Sequence, residues 1–225
     1  MRTLFATLLA VIGFGLTSPA LAATDWTEGR HYFLIEPAIP STAPKGKVVV
    51  TEVFSYACPA CNAFQPAMEK LRAGLPASVE LNFVPAGFRA DEDWPMFQTA
   101  YYAAQTLGVD KKMHARMFDA VWKTGELAIA DQATQRLKQP APSIEDAARF
   151  YAANAAVKPA DFVAAAKSFS VDLKVRQANE YIRAGKVTST PTIIVNGKYR
   201  LDGRSAGGVE PMVELVKWLV AKESH

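Results

Sequence analysis

The reactive chemistry of this chain is concentrated in "ACPAC", where Cys58 and Cys61, the only two cysteines among 225 residues, lie three positions apart. Thiols at that spacing can staple a fold, hold a metal or exchange electrons. A staple gains most when it closes a long loop, and the chain-entropy estimate for so short a ring is only about 2 kcal/mol. A metal needs further ligands, and the three histidines, His31, His114 and His225, show no paired spacing. A disulfide that opens and closes needs only the two residues present.

The neighbouring residues indicate how the pair is held. "KVVVTEVFSY", from Lys47 to Tyr56, is rich in β-branched and aromatic residues, as a buried strand should be. Beyond it Cys61, Phe64, Met68 and Leu71 recur at helical spacing and mark one helix face. Pro59 fits the first helical position, where its missing N–H costs nothing, so Cys58 is expected at the N-cap and Cys61 one turn in. The orphan N–H groups and the dipole at that end favour negative charge. Cys58 is therefore expected to be the thiolate nucleophile and the more buried Cys61 the resolving thiol. Pro66 is expected to kink this helix. A second stretch, "STPTIIVNGKYRLDG", reads as a strand over Thr192 to Val195, a turn at Asn196-Gly197 and a strand over Lys198 to Leu201. Pro191 stands at its front, and X-Pro bonds can be cis.

The N-terminus places this chemistry in a compartment. Met1-Arg2, an apolar run from Leu4 to Leu16 and Ala20-Leu21-Ala22 have the form of a cleaved export signal, so residues 1–22 are expected to be removed and Ala23 to lead the mature chain. An uncleaved N-terminal anchor is the alternative, but the run is shorter than the roughly 20 residues a bilayer span needs. Outside the cytosol thiols tend to close into disulfides. Losing Arg2 lowers the formal charge below the +3 of the whole chain, and the basic residues do not cluster, which gives no reason to invoke nucleic acid. Half the residues are hydrophobic, and no repeat or low-complexity segment is present. A chain of this length buries a core without staples.

Strand, CxxC on a helix N-terminus, then "TP" leading a hairpin and a final helix resemble the thioredoxin superfamily. With the leader, the chain length, "CPAC" and "TPTIIVNGKY", nearly all of the mature sequence resembles the DsbA type of periplasmic thiol:disulfide oxidoreductase. The resemblance implies an α/β chain: a thioredoxin-like fold, 23–88 and 171–225, with an inserted all-helical subdomain at 89–170. Within the insertion Trp94, Phe97, Tyr101 and Ala104 step at helical spacing. So do Val109, Met113, Met117 and Val121; Ile144, Ala148, Tyr151 and Ala155; and Phe162, Ala166 and Phe169. Ser143 is the expected N-cap of the third stripe. The return helix runs on Val171, Val175, Ala178 and Ile182 and should end at Gly185.

The resemblance also implies site roles. Pro191 would be cis and lie against the two sulfurs, with the backbone at Thr190 and Pro191 pairing with an extended substrate peptide. Pro59 and Ala60, between the thiols, belong to the same substrate surface. Phe64 matches an aromatic that flanks that surface, and helix core is its other reading. Ala60 departs from a family pattern that often carries histidine there, which would stabilise the thiolate. Glu52 matches a buried acidic residue; the alternative is an exposed carboxylate at a strand edge. Where relatives pair that acid with lysine, this chain has Phe83. A buried Glu52 without that lysine would have a raised pKa and would take the Cys61 proton as the mixed disulfide resolves.

The implied activity is donation of the Cys58–Cys61 disulfide to newly exported, unfolded proteins with free thiols in the periplasm. Reoxidation would come from a quinone-linked membrane protein of the DsbB type. No organic cofactor and no metal are expected, and the chain is expected to be a monomer. The alternatives are a periplasmic reductase or isomerase on the same fold, and a non-catalytic binding or chaperone protein whose CxxC is incidental.

Overall fold

The computed structural model describes residues 25–41, 46–89, 91–131, 133–134 and 136–224; the expected leader, residues 1–22, lies outside them. In chain order β1 (Phe33–Leu34) and β2 (Val48–Phe54) precede α1 (Pro59–Gly74) and β3 (Val79–Pro85). Four helices follow: α2 (Trp94–Thr106), α3 (Asp110–Trp122), α4 (Ile144–Ala155) and α5 (Pro159–Ala166). The chain then forms α6 (Phe169–Ala184), β4 (Thr192–Val195), β5 (Tyr199–Asp202), the short α7 (Gly203–Ala206) and α8 (Val209–Glu223). The strands make one mixed sheet in the order β1-β5-β4-β2-β3. Only β2 and β3 are parallel, with α1 as their crossover; every other pair is antiparallel.

Alternation along β2 decides what lies beneath the cysteines. Val48, Val50, Glu52 and Phe54 share one face, and the register sets Phe83 of β3 and Ile193 of β4 on either side of Glu52. Most of that face is covered by α1 and α8 through Phe64, Met68, Leu71, Met212, Val216 and Leu219, all buried. A second apolar cluster joins Val53, Phe54 and Ile194 to α2 through α6, with Phe97, Tyr101, Met113, Phe118, Tyr151 and Phe162 at its centre. The helix that carries the thiols is thus backed by one core, and the turn that leads into it abuts the other.

Three of the helical stripes become α2, α3 and α4. Ser143 caps α4 reciprocally: its hydroxyl accepts from the Asp146 N–H at 3.1 Å, and its own N–H donates to the Asp146 carboxylate at 2.9 Å. The stripe Phe162–Ala166–Phe169 does not hold. Helix α5 stops at Ala166, Ser168 caps a new helix by accepting from the Val171 N–H at 3.3 Å, and Phe169 is 73% exposed. The spacing survives a short break in the helix, whereas the capping serine marks it. Helix α6 ends at Gly185, where a Cβ would come within 2.7 Å of Ile194 Cδ1. Helix α1 continues through Pro66 to Gly74.

The β4–β5 turn has positive φ at both Asn196 (53°) and Gly197 (69°), as its sequence demands. The Lys198 N–H closes it onto the Val195 carbonyl at 3.0 Å, so β5 begins at Tyr199, one residue later than the sequence suggested.

Candidate active site

The site is built at the end of β2. Ser55 to Cys58 form a β-turn, with the Cys58 N–H donating to the Ser55 carbonyl at 3.1 Å and the Ala57 N–H to the Ser55 hydroxyl at 3.2 Å. Cys58 then caps α1 in extended conformation, with Pro59 at the first helical position. Its Sγ accepts the Cys61 N–H at 3.3 Å, so a sulfur does the work of a capping oxygen. The Thr190–Pro191 bond is cis, and the Thr190 carbonyl accepts from the Cys58 thiol at 3.5 Å. Hairpin and helix end therefore meet at this sulfur.

The two thiols are electrostatically opposite. Cys58 is held down to about 6, first by the hydrogen bond from Cys61, against the opposing effect of burial, with further help from Thr190 and the N–H groups of Cys61 and Ala60. Burial pushes Cys61 well above the ordinary thiol range, reinforced by its hydrogen bond to Cys58 and by the charges of Glu52 and Cys58. The CxxC turn thus holds a stabilised thiolate at its mouth and a proton-retaining thiol at its base.

Glu52 is wholly buried, and neither carboxylate oxygen has a hydrogen-bond partner. Burial raises it to about 8, Cys58 adds to the rise, and Arg72 opposes it. The exposed-edge alternative for Glu52 does not hold. Pro59 and Ala60 are exposed, and Thr190 and Pro191 half-buried, so these four line the accessible side of the pair. Phe64, on the helix face of Cys61, Met68 and Leu71, is 2% exposed within the α1–α8 core, the second of the two readings its position allowed.

Sequence reasoning passed over two α3 residues near the site. His114 Nδ1 lies 3.0 Å from the Tyr56 hydroxyl, and the Trp122 indole N–H donates to the Tyr56 carbonyl at 2.8 Å. Burial drives His114 down to about 3, so its imidazole is neutral. In the sequence His114 has no partner at ligand spacing, and Trp122 belongs to no motif. Among the described residues no group of three or more His, Cys, Asp or Glu side chains could hold a metal ion.

A dithiol at a helix N-terminus, a cis-proline strand facing it and a four-helix block between β3 and α6 define a thioredoxin-fold dithiol oxidoreductase. A family model described as thioredoxin matches residues 42–214. The thiol:disulfide interchange protein DsbA of Pseudomonas syringae is 35% identical, over 99% of this chain and 96% of that one. The crystal structure of Pseudomonas aeruginosa DsbA superposes with a TM-score of 0.75 at 32% identity, covering 89% of this chain and 96% of that one. The oxidoreductase DsbA of Xylella fastidiosa gives 0.74 at 32% identity, over 86% and 95%. The chain belongs to the DsbA family of thiol:disulfide interchange proteins. It is a disulfide-forming thiol:disulfide oxidoreductase.

Proposed function

We propose that this chain is a periplasmic oxidant that passes its Cys58–Cys61 disulfide to unfolded, newly exported proteins. A substrate thiolate attacks Cys58 Sγ, the S–S bond breaks, and Cys61 leaves and takes a proton. A second substrate thiolate then attacks the substrate sulfur of the mixed disulfide, and Cys58 departs as thiolate. The substrate loses two electrons to its new disulfide, and the enzyme gains them as a dithiol. The observation that carries this reading is Cys58 at the N-cap of α1, its Sγ accepting the Cys61 N–H at 3.3 Å, an arrangement that holds its thiol down to about 6. A stabilised thiolate favours the reduced enzyme and makes its disulfide a strong oxidant.

Glu52 serves as the proton reservoir for Cys61. Below its own midpoint, raised to about 8, the carboxyl gives a proton to the departing Cys61, and it takes one back when Cys61 closes the ring again. Thr190, Pro191, Pro59 and Ala60 form the surface along which an extended substrate segment lies. In organisation, the leader spans 1–22, the thioredoxin-like unit 23–88 and 171–225, and the helical unit 89–170. The enzyme acts as a monomer and is reoxidised by a quinone-linked membrane protein of the DsbB type.

The test is a glutathione redox equilibrium paired with oxidation of a reduced, unfolded ribonuclease. Equimolar loss of substrate thiols, and a disulfide less stable than that of glutathione, are expected. A disulfide more stable than glutathione's would overturn the oxidant reading in favour of a reductase.

A further inference from the structure

Tyr56 occupies the second position of the turn that delivers Cys58, and helix α3 grips it at both ends. Its ring is buried among Phe54, Phe97, Tyr101 and Phe118, and its hydroxyl meets His114 Nδ1 at 3.0 Å. Its carbonyl, the central peptide of the Ser55–Cys58 turn, accepts the Trp122 indole N–H at 2.8 Å. The orientation of that peptide is what separates the two common β-turn types: turning it changes ψ of Tyr56 and φ of Ala57, the torsions just ahead of Cys58. Residue 58 is where the chain leaves the turn.

We propose that Trp122 is a positioning residue of the catalytic turn: its indole N–H locks the Tyr56–Ala57 peptide and so fixes Cys58 Sγ against the Cys61 N–H and the Thr190 carbonyl. The inference rests on Cys58 being the nucleophile. A side chain of the helical block thereby takes part in thioredoxin-type chemistry without touching substrate. With the donor gone, the peptide loses its anchor and tilts more freely, Cys58 Sγ spends time out of reach of the Cys61 N–H, and its thiolate loses support. The titratable groups facing Cys58, namely Cys61 on α1 and Glu52 on β2, are untouched by a change at Trp122.

Trp122→Phe keeps an aromatic side chain, though a smaller one, and removes the donor. The measurement is the rate of Cys58 alkylation in the reduced protein against pH, with the modified cysteine identified by mass spectrometry. The expected result is a raised midpoint, with the rate near pH 5 falling about threefold for half a pKa unit and the plateau at high pH unchanged. A superimposable profile on Cys58 overturns the inference, whereas fast modification of Cys61 overturns the assignment on which it rests. In the wild-type protein, the Trp122 indole ¹H–¹⁵N signal should exchange slowly and shift with the Cys58 midpoint. If Trp122→Phe fails to fold, this signal decides: one that exchanges as fast as that of the more exposed Trp218 and ignores the titration also overturns the inference.

Discussion

Glu52 lies directly beside Phe83 across the parallel β2–β3 register, with Ile193 on its other side. A carboxyl is thus buried between apolar side chains, with no hydrogen-bond partner for either oxygen. Arg72 is the cation that acts on it, from a position where its guanidinium stands 5.9 Å from the centre of the Phe83 ring. Arg72 forms no ion pair with the acid, and burial outweighs its pull: the group is raised to about 8. At neutral pH the carboxyl keeps its proton.

That burial makes Glu52 a liability to stability in alkali. The folded state binds the Glu52 proton more tightly than the unfolded chain, whose midpoint is near 4.5, so stability falls as pH rises from there to about 8. Glu52→Gln removes this dependence and is expected to stabilise the protein above pH 8 by an amount on the order of a few kcal/mol. Urea denaturation at pH 5 and pH 8.5, in a background with both cysteines changed to serine, isolates the effect from the thiols. Equal pH dependence with and without Glu52 would show that the carboxyl ionises normally.

The asymmetry between the thiols predicts their order of reaction. Cys58 should be alkylated with a midpoint near pH 6, and Cys61 should stay unmodified until far higher pH. Cys61→Ser should accumulate a mixed disulfide through Cys58, since no resolving thiol remains, and Cys58→Ser should accumulate none. Non-reducing electrophoresis of each reduced variant with a substrate protein that carries a disulfide reads both: Cys58 attacks that bond, one substrate sulfur stays on Cys58 and the other leaves as thiolate, and a trapped species in Cys58→Ser would reverse the assignment.

Much of this site was legible in the residues. The CxxC spacing, the helix face through Cys61 and Leu71, Pro59 at the helix start and the Asn-Gly hairpin are local signals, and local signals survive folding. Glu52 beside Phe83 followed from the family resemblance, since alternation fixes the face of each residue but not the register of two strands. Phe169 was misplaced because periodicity carried it past a break that Ser168 marks. Trp122 and His114 were invisible because their partner, Tyr56, lies 66 and 58 positions away, and no short-range pattern encodes such contacts.

The hairpin that carries Thr190 and Pro191 is sensitive at Gly197. The backbone there has φ of +69°, and an added Cβ would stand 2.2 Å from the Ile39 carbonyl oxygen, while the Ile39 N–H donates to the Gly197 carbonyl at 2.9 Å. Neither backbone can yield without losing that bond. Gly197→Ala is expected to destabilise the protein by about 2–3 kcal/mol, measured by urea denaturation of the oxidised form. A change below about 0.5 kcal/mol, the scale of an inert surface substitution, would contradict the close approach of this turn to the β1–β2 connection.

Ala60 sets the remaining reserve in oxidising strength. The Cys58 thiolate is supported by Cys61, by Thr190 and by the backbone N–H groups of Cys61 and Ala60, and the methyl group at position 60 offers no donor of its own. Residue 60 is exposed in the first turn of α1, so a larger side chain fits there without displacing the core. A histidine at that position can donate a ring N–H toward the sulfur, a hydrogen bond that exists only while the thiolate does. Ala60→His is therefore expected to lower the Cys58 midpoint from about 6. Each unit of that drop is about 1.4 kcal/mol, or about 30 mV in a two-electron couple at a pH above both midpoints. The reduced form gains the stabilisation, so the protein becomes more oxidising. Ultraviolet thiolate titration of both proteins, paired with a glutathione equilibrium, measures the two quantities independently. If the midpoint stays or rises in the variant, the backbone N–H groups already saturate the sulfur, and the dipeptide between the cysteines does not limit the thiolate in this enzyme.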